Sequence, residues 1–145
     1  MRASTSDETP PPLDLSPEKV CYLIVKVREF DVKDAETEPD PGSNPADDKM
    51  YGVLEDHKDD PVVQEIVEIV NDLNEDEQNA LVALYWLGRG DGTLKDWSNL
   101  RHEAKRAHND RTADYLLGEP LLSDYLEEGL SQFGHSCEEY ELGHL

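Results

Sequence analysis

Three glycines within five residues, in Gly88-Arg89-Gly90-Asp91-Gly92, constrain this chain more than any other feature. Glycine supplies the backbone freedom of left-handed caps and tight turns, and so dense a cluster does not continue a helix. On both sides of the cluster the apolar period is helical. Before it, Leu81, Leu84, Tyr85 and Gly88 recur on one helix face, with Ala80, Val82 and Leu87 widening the stripe. After it, Leu94, Trp97, Leu100, Ala104, Ala107, His108, Tyr115 and Leu116 carry a second stripe. End signals agree with the periods. Asn74 followed by Glu75, Asp76 and Glu77 is an N-cap with a reciprocal carboxylate, Thr93 with Asp96 restarts a helix, and Gly118 and Pro120 stop it. Left unbroken, the second helix is roughly 24 residues and about 36 Å long. The expectation is a central helical pair turned on the glycines.

The rest of the chain reads as further helices. Residues 1–15 are polar and acidic and hold Pro10, Pro11 and Pro12, which predicts a disordered arm. Ser16-Pro17-Glu18 is a helix start, and Val20, Leu23, Ile24, Val27 and Phe30 form one apolar face. Cys21, Tyr22 and Val25 are apolar on another, so this helix needs cover on two sides, from its own chain or from a second copy. Asp34 to Asp47 is rich in turn formers and predicts a long loop over 34–44. Asn44-Pro45 then opens a short helix through Met50, Tyr51, Val53 and Leu54. Asp60-Pro61 starts another with the stripe Val63, Ile66, Val67, Val70 and Leu73. Leu122, Tyr125, Leu126, Gly129, Leu130 and Phe133 mark the last helix, ended by Gly134, and residues 135–145 read as a fraying acidic tail. The fold expected is therefore all-α: one compact domain of five to six helices over 16–134.

Charge narrows the partners. With 34 acidic against 13 basic residues the formal net charge is −21, which disfavours direct contact with nucleic acid or an anionic membrane, because phosphate contact needs a basic face. The same self-repulsion favours a monomer over a homodimer at low salt. The first residues hold no apolar signal segment and no stretch reaches the length of a membrane span, so a cytoplasmic protein is expected. Cys21 and Cys137 are far apart in sequence and read as free thiols in a reducing cytosol.

The strings Leu73-Asn74-Glu75-Asp76-Glu77-Gln78 through Trp86-Leu87-Gly88-Arg89-Gly90-Asp91-Gly92, and Arg106-Ala107-His108-Asn109 through Thr112-Ala113-Asp114-Tyr115-Leu116-Leu117-Gly118, resemble a bacterial family of small acidic proteins catalogued as a domain of unknown function. The resemblance runs on through Pro120 to Gly134, and the opening Leu15-Ser16-Pro17-Glu18-Lys19-Val20 is similar to the family's longer members. It implies a compact bacterial domain and carries over no activity, cofactor, partner or site residue.

Candidate chemistry is sparse. The 88–92 loop precedes a helix N-terminus, as phosphate-binding loops do, yet it lacks the Lys-Ser/Thr of a P-loop, and Asp91 and Asp96 repel phosphate. Asp91, Thr93 and Asp96 lack the alternating oxygens and terminal Glu of a calcium loop. His102 and His108 stand six apart, about 120° from alignment on a helix, so the zincin geometry fails. His135, Cys137 and His144 match no metal box. No metal, cofactor or catalytic set is expected. Lys95, Arg101, Lys105, Arg106 and Arg111 make one helical stretch basic inside an acidic chain. They read either as pairs for Glu65, Glu68 and Asp72 or Glu127 and Glu128, or as a docking face for an acidic or phosphorylated partner.

The functional expectation is a non-enzymatic interaction or regulatory domain whose partner is another protein. Its candidate surface comprises Arg89, Asp91, Arg101, Lys105, Arg106, His108 and Arg111. Two alternatives stand beside it: a small enzyme or ligand-binding protein with a pocket near the glycine loop and His108, and an acidic decoy of a nucleic-acid-binding protein.

Overall fold

The computed structural model describes residues 11–37 and 59–138. Among them are six α-helices and no strand: α1 (Pro17–Thr37), α2 (Pro61–Asp72), α3 (Glu75–Arg89), α4 (Trp97–Ala107), α5 (Thr112–Leu117) and α6 (Leu122–Gln132). A single 3-10 turn, Leu94–Asp96, leads into α4. The short helix expected through Met50 and Leu54 lies outside the described residues, as do 1–10 and 139–145.

The capping chemistry read from the sequence is formed. Asn74 Oδ1 accepts from the Glu77 amide at 2.8 Å while Glu77 Oε1 accepts from the Asn74 amide at 2.9 Å. Asp60 Oδ1 accepts from the Val62 amide at 2.8 Å, with Pro61 as the first residue of α2. At Thr93 the cap runs one way: Asp96 Oδ2 accepts from the Thr93 amide at 2.9 Å and from its hydroxyl at 3.2 Å.

α3 is the central strut. α6 and α4 pack along it, α1 lies against α6 and α2, and α5 rests on α2 and α3. The stripe of α3 is fully internal, with Leu81, Leu84 and Leu87 at most 1% exposed. Leu84→Ala is therefore expected to cost about 2 to 5 kcal/mol, read by chemical denaturation, since a buried leucine leaves a cavity that close packing only partly collapses. A loss under about half a kcal/mol would show that the helix does not face the core along Leu84. The two-sided face of α1 is covered within the chain: Val20, Cys21, Leu23, Ile24, Val27 and Phe30 are buried and Tyr22 and Val25 half-buried. Ion pairs reinforce both contacts, Arg28 to Asp124 and Glu127 of α6 at 3.1 and 2.8 Å, and Lys26 to Glu65 of α2 at 3.0 Å. No helix among the described residues is long and apolar enough to cross a membrane.

Five expectations are corrected. The long helix after the glycines is broken into α4 and α5 at residues 108–111. His108 is extended (ψ 139°), Asn109 Oδ1 accepts from the Arg111 amide at 2.7 Å, and the Thr112 hydroxyl donates to the Asn109 carbonyl at 3.3 Å. Asn and Asp side chains compete in this way for backbone groups that a helix would use. The glycine loop is shorter than 88–92: Gly88, on the helical stripe as its spacing placed it, lies inside α3, and the turn is made at Gly90, whose φ of 100° is left-handed. α1 continues to Thr37, past Asp34, because no breaker precedes Pro39. Residues 11–15 of the expected arm are held: Leu13 and Leu15 are buried, and Asp14, with φ 62°, meets Arg101 at 2.6 Å. Finally, Cys21 and Cys137 are not free thiols but a disulfide, with Cα atoms 5.5 Å apart across 116 positions of sequence. It anchors the start of the expected tail, and Cys137 is fully buried.

Candidate functional site

The break at 108–111 is what makes a cavity. Turning the chain there swings α5 away from the line of α4, and the angle between them opens against α3 into a cavity of about 430 Å³. Its walls are mainly apolar, from Val82 and Trp86 of α3, Ala104 and Ala107 of α4, and Tyr115 of α5. The Trp86 indole donates to the Tyr115 hydroxyl at 2.9 Å, and Tyr85 meets Tyr115 edge-on at 5.9 Å, so the two aromatic walls are tied to each other and Tyr115 also to a ring outside the cavity.

The polar groups of the wall come from the break itself. His108 Nε2 lies 2.9 Å from Gln78 Oε1. Gln78 uses its NH₂ on the last carbonyls of α2, donating to Val70 O at 2.9 Å and Leu73 O at 3.4 Å. Its Oε1 is thereby the acceptor, which makes His108 Nε2 the donor, while Nδ1 lies 3.7 Å from Glu75 Oε2. Asp114 is 7% exposed; its Oδ2 is held by the Arg111 guanidinium and its Oδ1 has no hydrogen-bond partner. A buried carboxylate oxygen without a donor is costly and marks a place where something can bond. Asn79 and Thr112, both buried, complete the polar part of the wall.

Of the residues singled out in the sequence, the fold brings only His108 and Arg111 to this cavity. Arg101 and Lys105 line a separate groove beside Pro11, Pro12 and Trp97. Arg106 pairs with Glu103 at 3.2 Å on the exposed face of α4. Arg89 and Asp91 pair with each other at the end of α3, where Arg89 Nη1 also donates to the Tyr85 hydroxyl at 2.8 Å and that hydroxyl donates to Glu119 Oε1 at 2.7 Å. Burial, followed by the Glu119 carboxylate, pushes the Tyr85 hydroxyl far above its ordinary range, and the bond to Asp91 holds Arg89 even more firmly protonated. This is a structural clasp from α3 to the α5–α6 turn. The acids of the glycine loop are occupied locally, Asp91 by Arg89 and Asp96 by Thr93. Among the described residues no group of three His, Cys, Asp or Glu could hold a metal. Of the acids suggested by the sequence, Glu65 and Glu127 are taken by α1, while Arg101, Arg106 and Arg111 pair with Asp14, Glu103 and Asp114.

Sequence reasoning missed Trp86, Asn79 and Asp114. Trp86 lay beside the stripe and drew no attention. A readable signal stood only at Asp114, an acid set between Ala113 and Tyr115-Leu116-Leu117 where a solvated side chain does not belong; Asn79 follows the polar run Glu75-Asp76-Glu77-Gln78 and carries none.

Residues 63–135 match a family model described as a protein of unknown function, DUF3775. That stretch holds the whole wall of the cavity and leaves α1 outside. No curated protein and no solved structure matches the chain.

Proposed function

The chain belongs to the DUF3775 family, and we propose that it is a non-enzymatic regulatory domain whose α3–α4–α5 cavity takes a small, largely apolar ligand. One observation carries the reading: an aromatic-walled cavity of about 430 Å³ whose lining includes Asp114, a buried carboxylate with one oxygen, Oδ1, that has no hydrogen-bond partner. Pockets that bind small molecules are of this kind, mostly apolar with a few placed polar groups. Regulation is part of the proposal because the ligand would sit against residues 108–111, the joint between α4 and α5. Filling it bears on the exposed basic face of α4, with Lys105 and Arg106, which we assign to a protein partner. A monomer in the cytoplasm is the setting proposed, where burial of Cys21 and Cys137 shields the disulfide from thiol attack.

Indole is a suitable first probe, being neutral, apolar and ring-shaped. It is expected to raise the melting midpoint in a concentration-dependent way, as any ligand of the native state does. Ala107→Phe, at an exposed position on the cavity wall, is expected to remove that response while leaving the unliganded midpoint in place. An equal response from the variant, or none from the native chain to indole or to its amine and acid derivatives, sinks the reading.

A further inference from the structure

Taking the cavity reading as given, we infer that the ligand is cationic: an organic ammonium with a ring-sized apolar body. Three features of the wall select that class. The first is Asp114. Its carboxylate is 7% exposed and lines the cavity, and only Oδ2 is engaged, by Arg111. Oδ1 is covered and has no donor, and a carboxylate left in that state gains more from an ammonium N–H, a charge-assisted bond, than from an uncharged donor. The second is the aromatic pair. Trp86 and Tyr115 both line the cavity, aromatic rings of the kind that attract a cation, and the bond from the Trp86 indole N–H to the Tyr115 hydroxyl spends that donor within the wall, where it does not compete for an anion.

The third is the balance of charge around the opening. The Arg111 cation is offset by Asp114, and the His108 ring, its Nε2–H committed to Gln78, turns Nδ1 towards the Glu75 carboxylate at 3.7 Å. Glu75 is the acid beside that ring, within a chain of net charge −21 that attracts cations to its surface. A carboxylate or phosphate ligand would meet Asp114 with Arg111 already engaged. The ring-sized body follows from the space, since a cavity of about 430 Å³ takes a bicyclic ring and a short chain.

Three molecules that share one ring separate the ideas by calorimetry: indole, tryptamine and indole-3-propionate. Tryptamine is expected to bind at least about tenfold more tightly than indole, and indole-3-propionate more weakly than either. Asp114→Asn keeps the shape of the wall and is expected to abolish the advantage of tryptamine without abolishing indole binding. Should that variant fail to fold, Arg111→Gln serves, because the Arg111 side chain is 62% exposed. Removing the internal cation leaves Asp114 to the ligand, so the preference for tryptamine over indole should widen. Indole binding with no gain for tryptamine, or a preference for the propionate, overturns the ammonium assignment and leaves the cavity reading standing. Silence from all three molecules overturns both.

Discussion

Substituting both cysteines, Cys21→Ala with Cys137→Ala, is expected to lower the stability of the domain by about 4 to 5 kcal/mol. The two residues are 116 positions apart, so the crosslink closes a loop that contains nearly every helix, and long loops are those whose closure removes most entropy from the unfolded chain. The location adds to the effect. Cys21 lies in the second turn of α1 and Cys137 just beyond α6, the helix against which α1 packs. Without the bond, α1 is held by its apolar face and by the pairs from Arg28 and Lys26, which are partly exposed and contribute little. Alanine is chosen because both positions are buried and a serine hydroxyl would add an unsatisfied polar group. Denaturant titrations with and without a strong reductant provide the check. The native chain should lose stability on reduction, and the double variant should be weaker from the start and indifferent to reductant. A double variant within half a kcal/mol of the native chain would show that the crosslink is dispensable.

Gly88→Ala is expected to cost about 3 kcal/mol, towards the upper end for overpacking and in spite of the gain of about 1 kcal/mol that alanine brings to a helix interior. A Cβ built at Gly88 falls 1.7 Å from the Tyr125 carbonyl oxygen and 2.6 Å from its carbon. Both atoms are backbone of α6 and cannot rotate aside. The contact is reciprocal: a Cβ at Gly129 of α6 falls 2.7 Å from the Leu84 carbonyl oxygen of α3. Each helix carries glycine where the other comes nearest, so a methyl group at either place forces apart the largest helix pair of the fold. Gly90→Ala makes the control. It has nothing within 4 Å of an added Cβ but a φ of 100°, so its cost is conformational, about 1 to 2 kcal/mol. If denaturation finds Gly88→Ala no worse than Gly90→Ala, the close approach of α3 to α6 is not what that glycine serves.

The glycine cluster shows how far local reading goes. In the sequence Gly88 continues the stripe of Leu81, Leu84 and Tyr85, and with Gly90 and Gly92 it places a turn correctly. That Gly88 is a packing residue inside a helix and Gly90 the left-handed cap depends on where α6 lies, which no local pattern contains. His108 is a similar case. Its place on the apolar stripe was legible, but its tether to Gln78, and through Gln78 to the end of α2, joins residues 30 and 8 positions apart on three elements. Asp114 became a site residue only when α5 was laid against α2 and α3.

By itself the sequence determined what is decided within a few residues: the helices from their period, their starts from Asn74, Asp60-Pro61 and Ser16-Pro17, and the turn from its glycines. These follow from bonds between a side chain and the backbone two to four positions away. Only the tertiary structure decided the Cys21–Cys137 crosslink, the cover on both faces of α1, the seating of Leu13 and Leu15, and the cavity opened by the break after Ala107. Those depend on which surfaces meet after the helices pack. A helical period states that a face is apolar and does not state which other face covers it.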